Sequence, residues 1–318
     1  MLRPIAFAAA TVAALAPFAA ASAQECGRAC LEGVLSTYLE AQAANDVSAL
    51  PLAHDVRYTE NGVEMEPGEG FFATADETTY ELPIVDPQMG QAAVQAVVRE
   101  GDAFVFELVR LKVEDDLITE IETIVGREGE SGPMWVPDFA TEPRREFTLS
   151  IREAEQNSRL ELMAVANAYW RALETNGWPE YHPAPLLPGV LRIENGLATT
   201  NGSSGVALDP NAPGNALSSS APQQFNDGMF KNRTIYERRF PVVDVERGIV
   251  LSIARMGLKP GETSTPPHWM GGNPVLGEYF AVQDGKIVAV EVVMNSTIPV
   301  DRTMGWGRSP LARSMGDP

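Results

Sequence analysis

The chain has 318 residues, with 43 acidic against 24 basic side chains and a formal charge of −19. A surface of that sign repels phosphate backbones and anionic lipid heads, which argues against nucleic acid or a membrane surface as a partner. Its three histidines and two cysteines are too few and too scattered for a metal cluster with ligand spacing.

Residues 1–23 read as a secretory signal. Arg3 supplies the positive start, Ile5 to Ala20 the apolar run, and Ala21-Ser22-Ala23 an A-x-A cleavage site before Gln24. A membrane anchor is the other reading, and the shortness of the run, its alanines and Pro17 weigh against it. Cleavage after Ala23 and a periplasmic or secreted location are expected. Cys26 and Cys30 follow at C-x3-C. In an oxidising compartment they could form a disulfide across a first helical turn, with free thiols as the alternative.

An apolar stripe at Leu31, Val34, Leu35, Tyr38 and Leu39 predicts a helix. A short strand ends in Glu60-Asn61-Gly62, and Phe71-Phe72 mark a brief helical turn. Strands are expected over 80–85, 91–99, 103–113 and 117–125. A Gly-, Glu- and Pro-rich linker runs to residue 150, and a second amphipathic helix spans 160–173. Strands at 234–243, 248–256, 275–282 and 286–294 close the chain. Two loops interrupt this second half, about 197–225 and 258–274; the latter carries Pro266-Pro267-His268-Trp269. Long loops of this kind are either functional or merely mobile.

Much of the chain is said twice. Val56 to Gly62 aligns with Val190 to Gly196 at an offset of 134 through the shared Glu-Asn-Gly. Pro83-Ile84-Val85-Asp86 aligns with Pro241-Val242-Val243-Asp244, and Val113 to Glu122 with Val282 to Glu291. The order is kept and the offset only grows, as insertions in a second copy would produce. The expected organisation is therefore a signal peptide (1–23), a first domain (24–127), a linker (128–150), a second domain with loop insertions (151–300) and a tail (301–318).

Helix first and meander after reads as α+β. With the Gly68-Glu69-Gly70-Phe71-Phe72 segment, the pattern resembles the nuclear transport factor 2-like superfamily, which includes ketosteroid isomerases and SnoaL-like cyclases. More narrowly, Cys26-Gly27-Arg28-Ala29-Cys30-Leu31, Arg57-Tyr58-Thr59-Glu60-Asn61-Gly62 and Asp284-Gly285-Lys286-Ile287 resemble an uncharacterised family of exported bacterial and fungal proteins. The resemblance implies two cone-shaped domains, each with a curved antiparallel sheet around an apolar pocket. The isomerase catalytic set has no residue-by-residue match here and is not carried over.

Alternation places Val190, Arg192 and Glu194 on one strand face, and Val56, Tyr58 and Glu60 on its counterpart. A glutamate in an apolar pocket can act as a general base, while a neighbouring arginine can hold a carboxylate. The plainer reading of Glu-Asn-Gly is turn chemistry with a solvated glutamate. Tyr236, Arg238 and Phe240 are expected on one face of a later strand. Asp86 and Asp244 are expected to bond their own turns. His54 and His182 read as turn and loop residues; His268 is the better acid or base candidate.

The candidates are thus Glu194 and His268 for catalysis, and Arg192, Asn195, Tyr236, Arg238, Trp269, Tyr58 and Glu60 for substrate. No phosphate or dinucleotide fingerprint occurs, and no cofactor or metal is expected. The reading is an exported lyase or isomerase acting on a small carbonyl- or carboxylate-bearing molecule in the second domain. A periplasmic binding protein is the alternative. Ile118, Ile121, Ile124, Ile287, Val290 and Val293 make the closing strands apolar on both faces, so the two domains are expected to pack as an intramolecular pseudo-dimer.

Overall fold

The computed structural model describes residues 26–132, 134–137, 140–202, 217–262, 273–299 and 302–306. No helix among them is long and apolar enough to cross a membrane. The first half opens with α1 (Arg28–Ala43), which buries Leu31, Leu35, Tyr38, Leu39 and Gln42 on one stripe. Cys26 and Cys30 are bonded across its first turn. Strands β1 (Leu52–Glu60) and β2 (Val63–Met65), a 3-10 turn at Gly70–Ala73, and the meander β3 (Thr78–Asp86), β4 (Gln91–Glu100), β5 (Ala103–Glu114) and β6 (Leu117–Gly126) follow. After the short α2 (Arg145–Thr148), the second half repeats the plan. It has α3 (Arg159–Glu174), β7 (Leu186–Glu194), β8 (Leu197–Ala198), α4 (Ala221–Asn226), β9 (Arg233–Asp244), β10 (Ile249–Leu258), β11 (Val275–Gln283) and β12 (Lys286–Asn295). Helix α3 starts on a reciprocal capping box between Ser158 and Glu161, the local signal that fixes its first turn.

The sheets share one strand order, β2-β1-β6-β5-β4-β3 and β8-β7-β12-β11-β10-β9. Both are mixed rather than antiparallel as expected, because β1 runs parallel to β6 and β7 parallel to β12. The hairpins of the meander fix the direction of the last strand, and the edge it meets happens to run the same way. The long excursion between β1 and β6 supplies the crossover that a parallel pair requires.

Apolar side chains sort into three clusters. One lies between α1 and the first sheet and includes Leu31, Tyr38, Val94, Val109 and Ile121. Another lies between α3 and the second sheet, with Tyr169, Trp170, Val250, Phe280 and Val290. The third is shared by the two sheets and holds Leu82, Val97, Leu108 and Ile124 with Ile249, Leu251, Tyr279 and Val293. Each sheet is thus covered by a helix on one face and by the other sheet on the opposite face. Burial of both faces is why these strands read as near-continuous apolar runs.

The seam between the halves is reciprocal. Asp86 accepts a hydrogen bond from Val243 N (2.9 Å), and Asp244 accepts one from Val85 N (3.3 Å). Asp86 pairs with Arg159 at the start of α3, and Asp244 with Arg28 at the start of α1 (2.6 Å). The expectation that these aspartates serve only their own turns is corrected. Asp244 does accept from Arg247 N (3.2 Å), but both carboxylates are buried and reach across to the other half.

The described residues of 128–150 pack onto both halves. Phe147 is fully buried in the shared cluster, Met134 in the second-half cluster, and Ser131 donates to Met294 O at 2.9 Å. Arg144 donates to the carbonyls of Leu191 and Val290. The described part of the tail is anchored as well. Arg255, fully buried, donates to the carbonyls of Ile298, Pro299 and Arg302. Trp306 lies against the guanidinium groups of Arg57 (4.0 Å) and Arg110 (4.5 Å), and its Nε1 donates to Thr59 (2.9 Å).

Candidate functional site

The Glu-Asn-Gly repeat sits at the β1–β2 and β7–β8 turns. Asn61 and Asn195 have φ of 49° and 41°, and the following glycines 75° and 78°, the left-handed pair a two-residue hairpin needs. Asn195 is fully committed: its amide donates to Ser131 and Met294 O and accepts from Met294 N (2.9 Å). Asn61 does the same with Val125. Asn195 therefore stitches its hairpin to the closing strand and offers nothing to a substrate.

Strand alternation carries Arg192 and Glu194 to the helix side of the second sheet, where they join Tyr169 of α3. Arg192 is buried and donates to Thr199 (2.9 Å), the Tyr169 hydroxyl (3.2 Å) and Gln224 of α4 (2.7 Å). Its Nε lies 3.6 Å from a Glu194 carboxylate oxygen. From β11, Glu278 adds a second carboxyl to the same space. Burial and the charge of Glu194 push its pKa up to about 8, against the opposing pull of Arg192. One of its oxygens is buried without a hydrogen-bond partner. The second interior thus joins a guanidinium, a phenol and two carboxyl groups in an apolar setting.

The first interior has the same plan with different chemistry. Tyr58 and Glu60 of β1 face α1, and Glu107 of β5 is fully buried, held by Gln42 Nε2 at 3.0 and 3.1 Å. Burial, outweighing that hydrogen bond, pushes the Glu107 carboxyl up to about 8. Glu60 accepts from Phe71 N (2.6 Å) and more loosely from Tyr58 (3.5 Å), and its burial raises its pKa as well. Strand pairing equates Glu60 with Glu194, since these residues face Thr123 and Val292 in turn. It also equates Val109 with Glu278, because those face the same Thr123 and Val292. Glu107 thus sits two residues from its counterpart's position, on the same strand face.

The remaining candidates scatter. Tyr236 and Arg238 do not share a face, because Glu237 adopts φ 54° and the register to β10 slips there. Such a bulge re-aims one side chain. Arg238 turns to α3 and pairs with Glu174 (3.2 Å), whereas Tyr236 turns to the seam, 5.5 Å from the guanidinium of Arg255. His268 and Trp269 lie outside the described residues. Glu278, Glu107, Tyr169, Tyr38 and Gln42 were not singled out by the sequence reading. The available signal was a lone carboxylate inside an apolar strand run, Val-Phe-Glu-Leu-Val at 105–109 and Leu-Gly-Glu-Tyr-Phe at 276–280, where an unpaired charge is costly.

Residues 155–294, from just before α3 through β12, match a family model described as a domain of unknown function, DUF8021. No curated protein matches the chain. Among solved structures, a protein of unknown function with a cystatin-like fold from Methylobium petroleophilum PM1 is similar at 15% identity, over 33% of this chain and 84% of its own, with a TM-score of 0.29. A putative ketosteroid isomerase from Kribbella flavida DSM 17836 is similar at 21% identity, over 39% and 90%, with a TM-score of 0.26. A putative polyketide cyclase from Silicibacter sp. TM1040 is similar at 18% identity, over 30% and 88%, with a TM-score of 0.26. Likeness at these scores carries no functional argument.

Proposed function

We propose that the second half is an acid/base catalyst of the isomerase or lyase type, acting without a cofactor on a small carbonyl- or carboxylate-bearing substrate. The observation that carries this is the meeting of Glu194, Glu278 and Arg192 in one buried space, with Glu278 held as a neutral acid near pH 7. Glu194 removes a proton from the carbon next to the carbonyl. The C–H electron pair moves into the new C=C bond and the carbonyl π pair moves onto oxygen. Protonated Glu278 and the Arg192 guanidinium donate hydrogen bonds to that oxygen, in surroundings where such bonds count for more than in water. Return of the proton at another carbon gives isomerisation, and expulsion of a β-substituent gives elimination. His268 is proposed as the second proton carrier.

The chain is further proposed to be an exported tandem duplication whose halves form cone-shaped domains (24–127 and 151–300) packed as a pseudo-dimer. The shared strand order and the reciprocal aspartates support that reading.

The test is deuterium uptake from solvent into simple ketones, β-keto acids and uronates, followed by proton NMR. Wild type should catalyse exchange in at least one class. Glu194→Gln should lose about 10²-fold or more, and Glu278→Gln about 10- to 10³-fold. Equal rates for wild type and Glu194→Gln would remove Glu194 from the mechanism.

A further inference from the structure

We propose that the helix-facing interior of the first half is a second binding site, and that it selects a small molecule bearing a protonated amine. This does not depend on the catalytic reading of the second half, and the two halves would take ligands of opposite charge.

The argument is a count of donors and acceptors. Five polar side chains converge from α1, β1 and β5: Tyr38, Gln42, Tyr58, Glu60 and Glu107. With Glu107 as the carboxylate that a ligand would meet, their donors other than the Tyr38 hydroxyl are already used. Gln42 Nε2 spans both Glu107 oxygens, Phe71 N serves Glu60, and the Tyr58 hydroxyl is shared between Glu60 and Glu69 O. Two acceptor-capable atoms, Tyr38 Oη and Gln42 Oε1, are buried with no partner, in residues that are 0% and 1% exposed. Tyr38 and Tyr58 share one buried cluster, Gln42 on the same helix as Tyr38 holds Glu107, and Tyr58 reaches Glu60, so these groups face one interior. Among the described residues, no lysine or arginine makes an ion pair with Glu60 or Glu107; Arg127, whose charge acts on both, is engaged by Glu100 at 2.7 Å. An interior with unpartnered acceptors and two carboxyl groups that lack an ion-pair partner among the described residues is complementary to a group that brings several N–H donors and a positive charge. A primary ammonium brings three. The second half differs, because Arg192 occupies the position of Tyr58 and supplies that interior with a cation of its own.

Proton balance makes the proposal measurable. Glu107 is a neutral acid at pH 7 in the free protein, and a bound ammonium needs its carboxylate. Binding therefore releases the Glu107 proton to solvent while the ammonium keeps its own. Glu60, Arg127, Tyr38 and Tyr58 are the titratable groups facing Glu107, and neither tyrosine ionises in this range, because burial raises both. Affinity should thus rise about tenfold per pH unit up to about pH 8.

The experiment is calorimetric titration of the full chain with n-butylammonium, n-butyrate and n-butanol at pH 6, 7 and 8. Repeats in buffers of different ionisation heat count the protons released. The expected result is saturable binding of butylammonium alone that Glu107→Gln weakens by at least about a hundredfold. Absence of saturable binding, equal binding of butanol, or binding that survives Glu107→Gln overturns the proposal. Should Glu107→Gln fail to melt cooperatively, Tyr38→Phe decides. Its packing is unchanged, so a severalfold loss of butylammonium affinity supports the site and an unaltered affinity overturns it. Deuterium uptake in the second half is a separate readout and is untouched by either outcome.

Discussion

The two halves share a strand order and differ in what they bury. On the helix side of the first sheet, Tyr58, Glu60 and Glu107 meet no cation that pairs with them among the described residues; at the matching place in the second, Arg192 is held by three acceptors. The seam, by contrast, is built alike from both sides, with Asp86 and Asp244 making equivalent contacts. Residues at the seam bond to the opposite half, whereas the polar groups of each interior bond within their own half.

The largest expected effect tests the likeness. Asp244→Ala leaves Arg28 and Val85 N without their buried partner, and Asp86→Ala does the same to Arg159 and Val243 N. Each should cost about 3–5 kcal/mol in denaturant unfolding. Penalties differing by more than about 2 kcal/mol would break the equivalence of the two sides.

A shared pH dependence is the second test. Glu107 and Glu278 keep a proton in the folded chain up to about pH 8, and release it near the ordinary 4.5 when unfolded. The native state therefore binds more protons in that window. Stability from these groups is fully present below about pH 4.5, falls as pH rises, and levels off above about 8. The slope is at most about 1.4 kcal/mol per pH unit for each group. Thermal melts at pH 5 to 9 should show it, and the Glu107→Gln, Glu278→Gln double variant should flatten it. A wild-type melting temperature that does not fall across this range would contradict both buried acids.

The smallest effect sharpens the difference between interiors. Tyr169→Phe removes a hydroxyl that accepts from Arg192 and should cost about 1–3 kcal/mol. Tyr38→Phe removes a hydroxyl with no partner and should leave the ligand-free protein unchanged or slightly more stable. Equal losses in the two variants would mean that the interiors are chemically alike.

Much of the scaffold was legible from residue order. The stripe of α1 and the eight meander strands fall within about two residues of their expected positions, because burial on both strand faces leaves long apolar runs that turn residues cut cleanly. The parallel closing pair was not legible, since pairing direction depends on which edges meet in space. Neither was the bulge at Glu237, where a charged residue adopts a left-handed backbone that nothing in its neighbourhood announces, and which separated Tyr236 from Arg238. Arg192 and Glu194 were found by alternation alone. Glu278 and Glu107 were visible only as anomalies in apolar runs, and Tyr38 and Tyr169 looked like ordinary stripe residues of their helices.

The anchored tail bears on the order in which the protein can be completed. Trp306 reaches back 247 positions to Thr59, and Arg28 waits for an aspartate 216 positions downstream. The half that is synthesised first is thus finished last: its strands β1 and β5 gain their final cover only after nearly the whole polypeptide has emerged. Closures of such sequence separation are slow to form. A nascent chain halted near residue 295 would leave Thr59, Arg57 and Arg110 without their ring, although the first sheet had been fully translated long before.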